Sequence, residues 1–170
     1  MINQEKLIAN AFLKVGEAFG TYNDNRTKMT QIAVSLFEAL LKKVGADNTY
    51  LYNATKVELP LRGEKEGIYQ YNLPSDFLSM IYSSEKSNIM GEFIYSTEQN
   101  LEIAYCRTLP LLEIPDYMEE FFTVSLAMEI AQSVSAYEDK MPLLQKLINS
   151  ERIKVSSMEG LIRVPTTREG

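Results

Sequence analysis

The stretch Gly67-Ile-Tyr-Gln-Tyr-Asn-Leu-Pro-Ser-Asp-Phe-Leu78 decides how this chain is read. Ile68 to Asn72 alternates side chains at a period of two, the pattern of a strand with one buried face. Leu73-Pro74-Ser75-Asp76-Phe77 then turns the chain. Pro74 fixes φ and offers no donor, Ser75 or Asp76 can bond a nearby backbone amide, and Phe77 returns to the core.

Downstream, Leu101-Glu-Ile-Ala-Tyr-Cys106 reads as another strand. Leu109-Pro-Leu-Leu-Glu-Ile-Pro-Asp116 reads as a proline-bounded loop. Strands are also predicted over 49–59, 78–82 and 92–96, where tyrosine, isoleucine and threonine are dense. Arg62-Gly-Glu-Lys-Glu-Gly67 and Thr97-Glu-Gln-Asn100 read as turns, and such short connections imply antiparallel pairing.

Helical spacing flanks this segment on both sides. Leu7, Ile8, Ala11, Phe12, Val15 and Phe19 share one face, with Asn3 as cap and Gly20 as stop. Met29, Ile32, Ala33, Leu36, Phe37, Leu40, Leu41 and Val44 form a second stripe. Lys42, Lys43 and a Gly45 able to adopt positive φ end it. Pro115 and Asp116 open a third helix that is apolar around most of its circumference, from Tyr117 to Val134, and is therefore expected to be central. Asp139 can cap a fourth, which carries Leu143, Leu144, Leu147, Ile148 and Val155. Beyond Gly160 the chain cannot continue a helix past Pro165.

The fold class that follows is α+β: an antiparallel helical bundle of about four helices, an inserted antiparallel β subdomain, and an extended C-terminal arm. The helical domain takes residues 1–47 and 109–159, the β subdomain 48–108, and the arm 160–170.

Composition removes several kinds of chemistry. The 170 residues include no histidine, which removes the commonest general base and metal ligand. The single cysteine, Cys106, can form no internal disulfide and no cysteine-based zinc site. With no histidine to activate it, and within a strand pattern, it reads as a small buried hydrophobe. The net charge of -6 argues against a surface built to neutralise phosphates. No signal peptide and no membrane-spanning run are expected, and a free cysteine fits synthesis in a reducing cytoplasm.

Glu119, Glu120, Glu129, Glu138 and Asp139 invite a magnesium-site reading. That chemistry needs converging carboxylates, and Glu120 and Glu129 lie about 180° apart on a helix of 3.6-residue period. The first two also suit a helix N-terminus. The ten tyrosines are equally explained by strand propensity and by use at an interface.

The order of these elements resembles the head-to-tail adaptors of short-tailed bacteriophages, the tail tubular protein A type. Asn10-Ala-Phe-Leu-Lys-Val-Gly-Glu17 is similar to the family's opening helix. Leu73, Pro74, Ser75, Asp76 and Phe77 match its Leu-Pro-x-Asp-Phe turn, and Leu101, Ile103 and Tyr105 match its Leu-x-Ile-x-Tyr strand. The resemblance covers nearly the whole chain, and the order of its motifs is more specific than any one of them.

What the resemblance implies is a structural virion protein without catalytic activity or cofactor, sited at the capsid–tail junction. Its copies would form a homo-oligomeric ring, dodecameric in the family, joined to the portal on one side and to a downstream tail or nozzle protein on the other. DNA would pass through the lumen without specific binding, and no membrane is involved. The expected partner-binding residues are Leu161, Ile162, Arg163 and Val164 in the arm, with Arg62 and Lys65 in a turn expected at the tip of the β subdomain. The alternative is a small acidic helical enzyme or regulatory module, such as a magnesium-dependent nucleotide pyrophosphohydrolase.

Overall fold

A computed structural model of the chain describes residues 1–17 and 23–160. Among these residues it is an α+β fold with four α-helices and two antiparallel sheets. The chain divides into two compact units, Met1–Lys43 with Pro110–Gly170, and Val44–Leu109. The borders expected from sequence fall at 47/48 and 108/109.

In the first unit, α1 spans Gln4–Lys14 and begins where Asn3 Oδ1 accepts the Lys6 amide at 3.1 Å. Leu7, Ile8, Ala11 and Phe12 are buried, as their spacing predicts. The helix ends at Lys14, ahead of Gly16 at φ 90°. Phe19 and Gly20, the expected end of its stripe, lie outside the described residues.

Helix α2 spans Asn23–Gly45 and buries Ala33, Phe37, Leu40 and Val44 at helical spacing. Its last residue, Gly45, has no positive φ. The backbone is closely approached there: a Cβ would stand 2.9 Å from Leu78 Cδ1 and 3.4 Å from the Asn53 amide nitrogen, so a side chain at this position would make Leu78 shift.

Helix α3 spans Glu119–Ser133 and is buried all round, from Phe121 through Met128 and again at Ile130 and Ala131. Phe122 receives Phe37 of α2 edge-on, with ring centroids 6.2 Å apart. Helix α4 spans Met141–Glu159. Its N-cap is Lys140 and carries no side-chain cap. Asp139, expected to cap it, falls within a 3₁₀ turn over Ser135–Lys140 and pairs with Lys140 at 2.9 Å. Leu144, Ile148 and Val155 are buried, but so are Glu151 and Glu159, and Leu143 is exposed. Leu143 precedes the buried stripe by one residue, about 100° around the helix, which takes it out of the contact.

The second unit holds seven strands: β1 Ala54–Glu58, β2 Leu61–Lys65, β3 Ile68–Asn72, β4 Phe77–Ser83, β5 Ser87–Met90, β6 Phe93–Ser96 and β7 Glu102–Arg107. They form a three-stranded sheet in the order β1-β7-β4 and a four-stranded sheet in the order β2-β3-β6-β5. All pairs are antiparallel. One core cluster draws Tyr71 and Ile94 from the four-stranded sheet and Ile103 and Tyr105 from the three-stranded one, with Leu59 and Leu101.

Two sequence expectations change here. The strand expected over 49–59 is shorter, because the Asp47 carboxylate and carbonyl accept the Thr49 and Tyr50 amides and hold a turn before Ala54. The loop expected over Arg62 to Gly67 is instead strand β2 closed by a two-residue turn. Lys65 pairs with Ile68, and Glu66 and Gly67 between them take φ of 56° and 77°. That is the type I′ hairpin, in which the glycine serves the turn and the charges occupy an edge strand. Strand β5, not anticipated, closes on β6 through Gly91 at φ 62°.

Candidate functional site

Two features of the β unit stand out: a polar contact that ties the turn before β4 to strand β7, and the outer face of the four-stranded sheet.

The first is built from the Leu73-Pro74-Ser75-Asp76-Phe77 turn and the Leu101 to Cys106 strand. Pro74 accepts the Phe77 amide at 3.0 Å, closing the turn. The Asp76 carboxylate does not bond a backbone amide, as turn chemistry suggested. It accepts the Tyr105 hydroxyl at 2.9 Å, while the Asp76 carbonyl accepts the Thr108 amide at 2.7 Å. Phe77 stacks on the Tyr105 ring, 5.6 Å between centroids and 26° between planes. Burial, then the bond to Asp76, pushes the Tyr105 hydroxyl up to about 12. The Asp76 carboxylate and the Tyr105 hydroxyl are thus engaged with each other.

The second feature follows from strand alternation. Tyr71 and Ile94 are directly paired and fully buried, so their neighbours along each strand point the other way. Gln70, Asn72, Phe93 and Tyr95 therefore share the outer face. Asn88 and Met90 of β5 join them, opposite Tyr95 and Phe93. From the other edge Ile68 and Lys65, directly opposite each other, add an apolar and a cationic side chain. Arg62 arrives by a β-bulge between Leu61 and Gly63, which inserts an extra residue and re-aims it. Its guanidinium lies 4.4 Å from the Phe93 ring centroid and donates to Asn72 Oδ1 at 3.1 Å. Gln70 Nε2 donates to the Tyr95 hydroxyl at 3.1 Å. Met90 and Ile68 are 67% and 49% exposed, which leaves apolar area open to solvent.

Two of these side chains are cations and none is a carboxylate. Glu64 lies on the opposite face of β2 and accepts the Gly67 amide, and Glu66 and Glu92 stand in the two hairpin turns. The result is a small cationic and aromatic face within a chain of net charge -6.

Arg62 and Lys65, chosen from sequence as the tip of a loop, thus stand on this sheet face. Leu161, Ile162, Arg163 and Val164 lie outside the described residues. The sequence reading offers Tyr95 only as one of the tyrosines suited equally to a strand or an interface, and does not point to Phe93 or Met90. The alternation Phe93-Ile94-Tyr95-Ser96 carried the signal, but it did not say which face is covered.

Of the five carboxylates considered for magnesium, four are held in ion pairs, Asp139 with Lys140 as described above. Glu119 pairs with Lys6 at 3.4 Å, Glu120 with Lys14, and Glu129 with Lys43 at 3.3 Å. Among the described residues no group of three or more histidine, cysteine, aspartate or glutamate side chains is placed to hold a metal ion. Cys106 is fully buried and its thiol donates to Asn48 Oδ1 at 3.6 Å. Of the tyrosines in the β unit, Tyr50, Tyr71 and Tyr105 are core residues, whereas Tyr82 and Tyr95 reach the surface. Among the described residues no helix is long and apolar enough to cross a membrane.

No protein-family model matches the chain, and no curated protein matches it.

Proposed function

We propose that this protein is a ring-forming head-to-tail adaptor of a short-tailed bacteriophage virion. It joins a portal to the tail and forms part of the DNA conduit, without catalytic activity. The observation that carries this reading is the insertion of one compact antiparallel β unit, Val44–Leu109, between the two halves of a helical unit. That is the element order the resemblance implies. Two of the three short motifs behind the resemblance also meet in space, through Asp76, Phe77 and Tyr105.

In this reading the four helices form the antiparallel bundle that docks on the portal. The β unit faces the tail, and residues 160–170 act as an extended arm on a neighbouring chain. The closed ring is a dodecamer, and the site of action is the capsid–tail junction.

Particle mass in solution, alone and mixed with a portal ring, tests the proposal. A multiple of the 19.4 kDa subunit that adds to the portal supports it. A monomer or dimer that ignores the portal at high concentration overturns it.

A further inference from the structure

We infer that the outer face of the four-stranded sheet is where an acidic surface of a second copy docks, so that this face is one side of the subunit contact. The inference rests on the ring reading and deepens it.

The charge distribution selects the occupant. The chain holds 23 carboxylates against 17 lysines and arginines, yet this face presents Arg62 and Lys65 and no carboxylate. A second copy is a surface of opposite charge supplied at equal concentration. The same distribution fixes the kind of contact. Two copies meeting through this face alone would oppose cation to cation, which is repulsive. The partner must offer a different patch, and such head-to-tail contacts are the ones that close rings.

The face is also prepared for docking. Arg62 is already held between the Phe93 ring and Asn72, so little side-chain freedom remains to be lost on binding. Arginine over an aromatic ring, beside exposed Met90 and Ile68, has the composition of an interface centre. Two cations are too few for a nucleic-acid groove, where affinity grows with each phosphate neutralised.

The test compares the full chain with the double variant Arg62→Glu/Lys65→Glu and with Lys146→Glu/Arg152→Glu. The second changes net charge equally at exposed positions of α4. Sedimentation gives mass against concentration at low and high salt, and thermal melts confirm that every variant folds. The sheet variant is expected to assemble at least about tenfold more weakly than wild type, and the α4 variant like wild type. If the sheet variant assembles like wild type, the inference fails while the ring reading stands. Equal weakening in both variants makes net charge the cause and also overturns it. Wild type that assembles neither alone nor with a portal ring removes the ring reading itself. Binding of a single-stranded oligothymidylate by wild type, lost in the sheet variant, makes nucleic acid the occupant and rejects the second copy.

Discussion

The Tyr105 hydroxyl donates to Asp76 Oδ1 at 2.9 Å, tying the turn before β4 to the strand at the centre of the three-stranded sheet. The acceptor is a carboxylate, so the bond is of the stronger, charge-assisted kind. Tyr105→Phe keeps the stack on Phe77 and removes only this bond. It is expected to cost about 1.5–3 kcal/mol in a denaturant melt. Tyr105→Leu also loses the ring stack and should cost more. Equal stability of Tyr105→Phe and wild type would show the bond to be incidental.

Tyr117 is the opposite case. Its hydroxyl is buried with no hydrogen-bond partner among the described residues. An unsatisfied buried group of this kind costs about 1–3 kcal/mol. Tyr117→Phe is therefore expected to leave stability unchanged or to raise it. A loss of more than about 1 kcal/mol would mean that the hydroxyl is satisfied, for instance by an ordered water.

Both hydroxyls bear on alkaline stability. Burial first, and then Asp76 for Tyr105 or Glu159 for Tyr117, lifts each from the ordinary 10.0 to about 12. The folded state thus holds these protons more tightly than the unfolded chain. Their contribution is fully present below pH 10 and is lost as pH rises toward and through 12. Melting temperature should fall across that window, and phenolate absorbance should rise together with unfolding. The Tyr105→Phe/Tyr117→Phe variant should show a shallower fall. An identical alkaline profile in that variant would place the pH dependence elsewhere.

At the end of α2, the Asn53 side-chain amide donates to the carbonyls of Gly45 and Arg107, each at 2.8 Å. It links a helix C-terminus to the end of β7 from a nearly fully buried position. Asn53→Asp has no donor to give and places a carboxylate against two carbonyl oxygens. It is expected to destabilise more than Asn53→Ala, and to recover part of the loss at low pH, where protonation restores one donor. Melts of both variants at neutral and acidic pH check this. Asp tolerated at neutral pH would mean the site opens to water.

Much of the fold was legible because burial and periodicity coincide. The apolar residues from Tyr117 to Val134 cover most of the circumference of a helix, and α3 is buried from Phe121 through Met128 and at Ile130 and Ala131. Asn3 caps α1 because a short polar side chain before an apolar repeat has one obvious use. Failures occurred where a residue has several uses. Asp139 suits a cap and makes an ion pair instead, and Gly45 suits a left-handed turn but serves close packing. Arg62 to Gly67 carries the composition of a loop and forms an edge strand with a tight turn. The candidate face was least legible. It depends on a bulge at Arg62 and on which side of the sheet is covered, both set by long-range pairing.

Log affinity for duplex DNA falls with log salt at a slope of roughly -0.9 per phosphate neutralised. The cationic face presents Arg62 and Lys65, so even full use of both gives a slope of about -2. Other lysines are held by carboxylates: Lys6, Lys14 and Lys43 by glutamates of α3, Lys56 by Glu102, and Lys154 by Glu151. Neutralised in this way, they release few counterions, and the net charge of -6 repels the duplex at long range. Binding of a short duplex is therefore expected to be undetectable at micromolar protein and physiological salt, for the free subunit and for the assembled particle. Titrations at two salt concentrations decide the matter. A micromolar or tighter complex with a slope much steeper than about -2 would require a cationic surface beyond this sheet face and would argue for a DNA-binding module over a conduit.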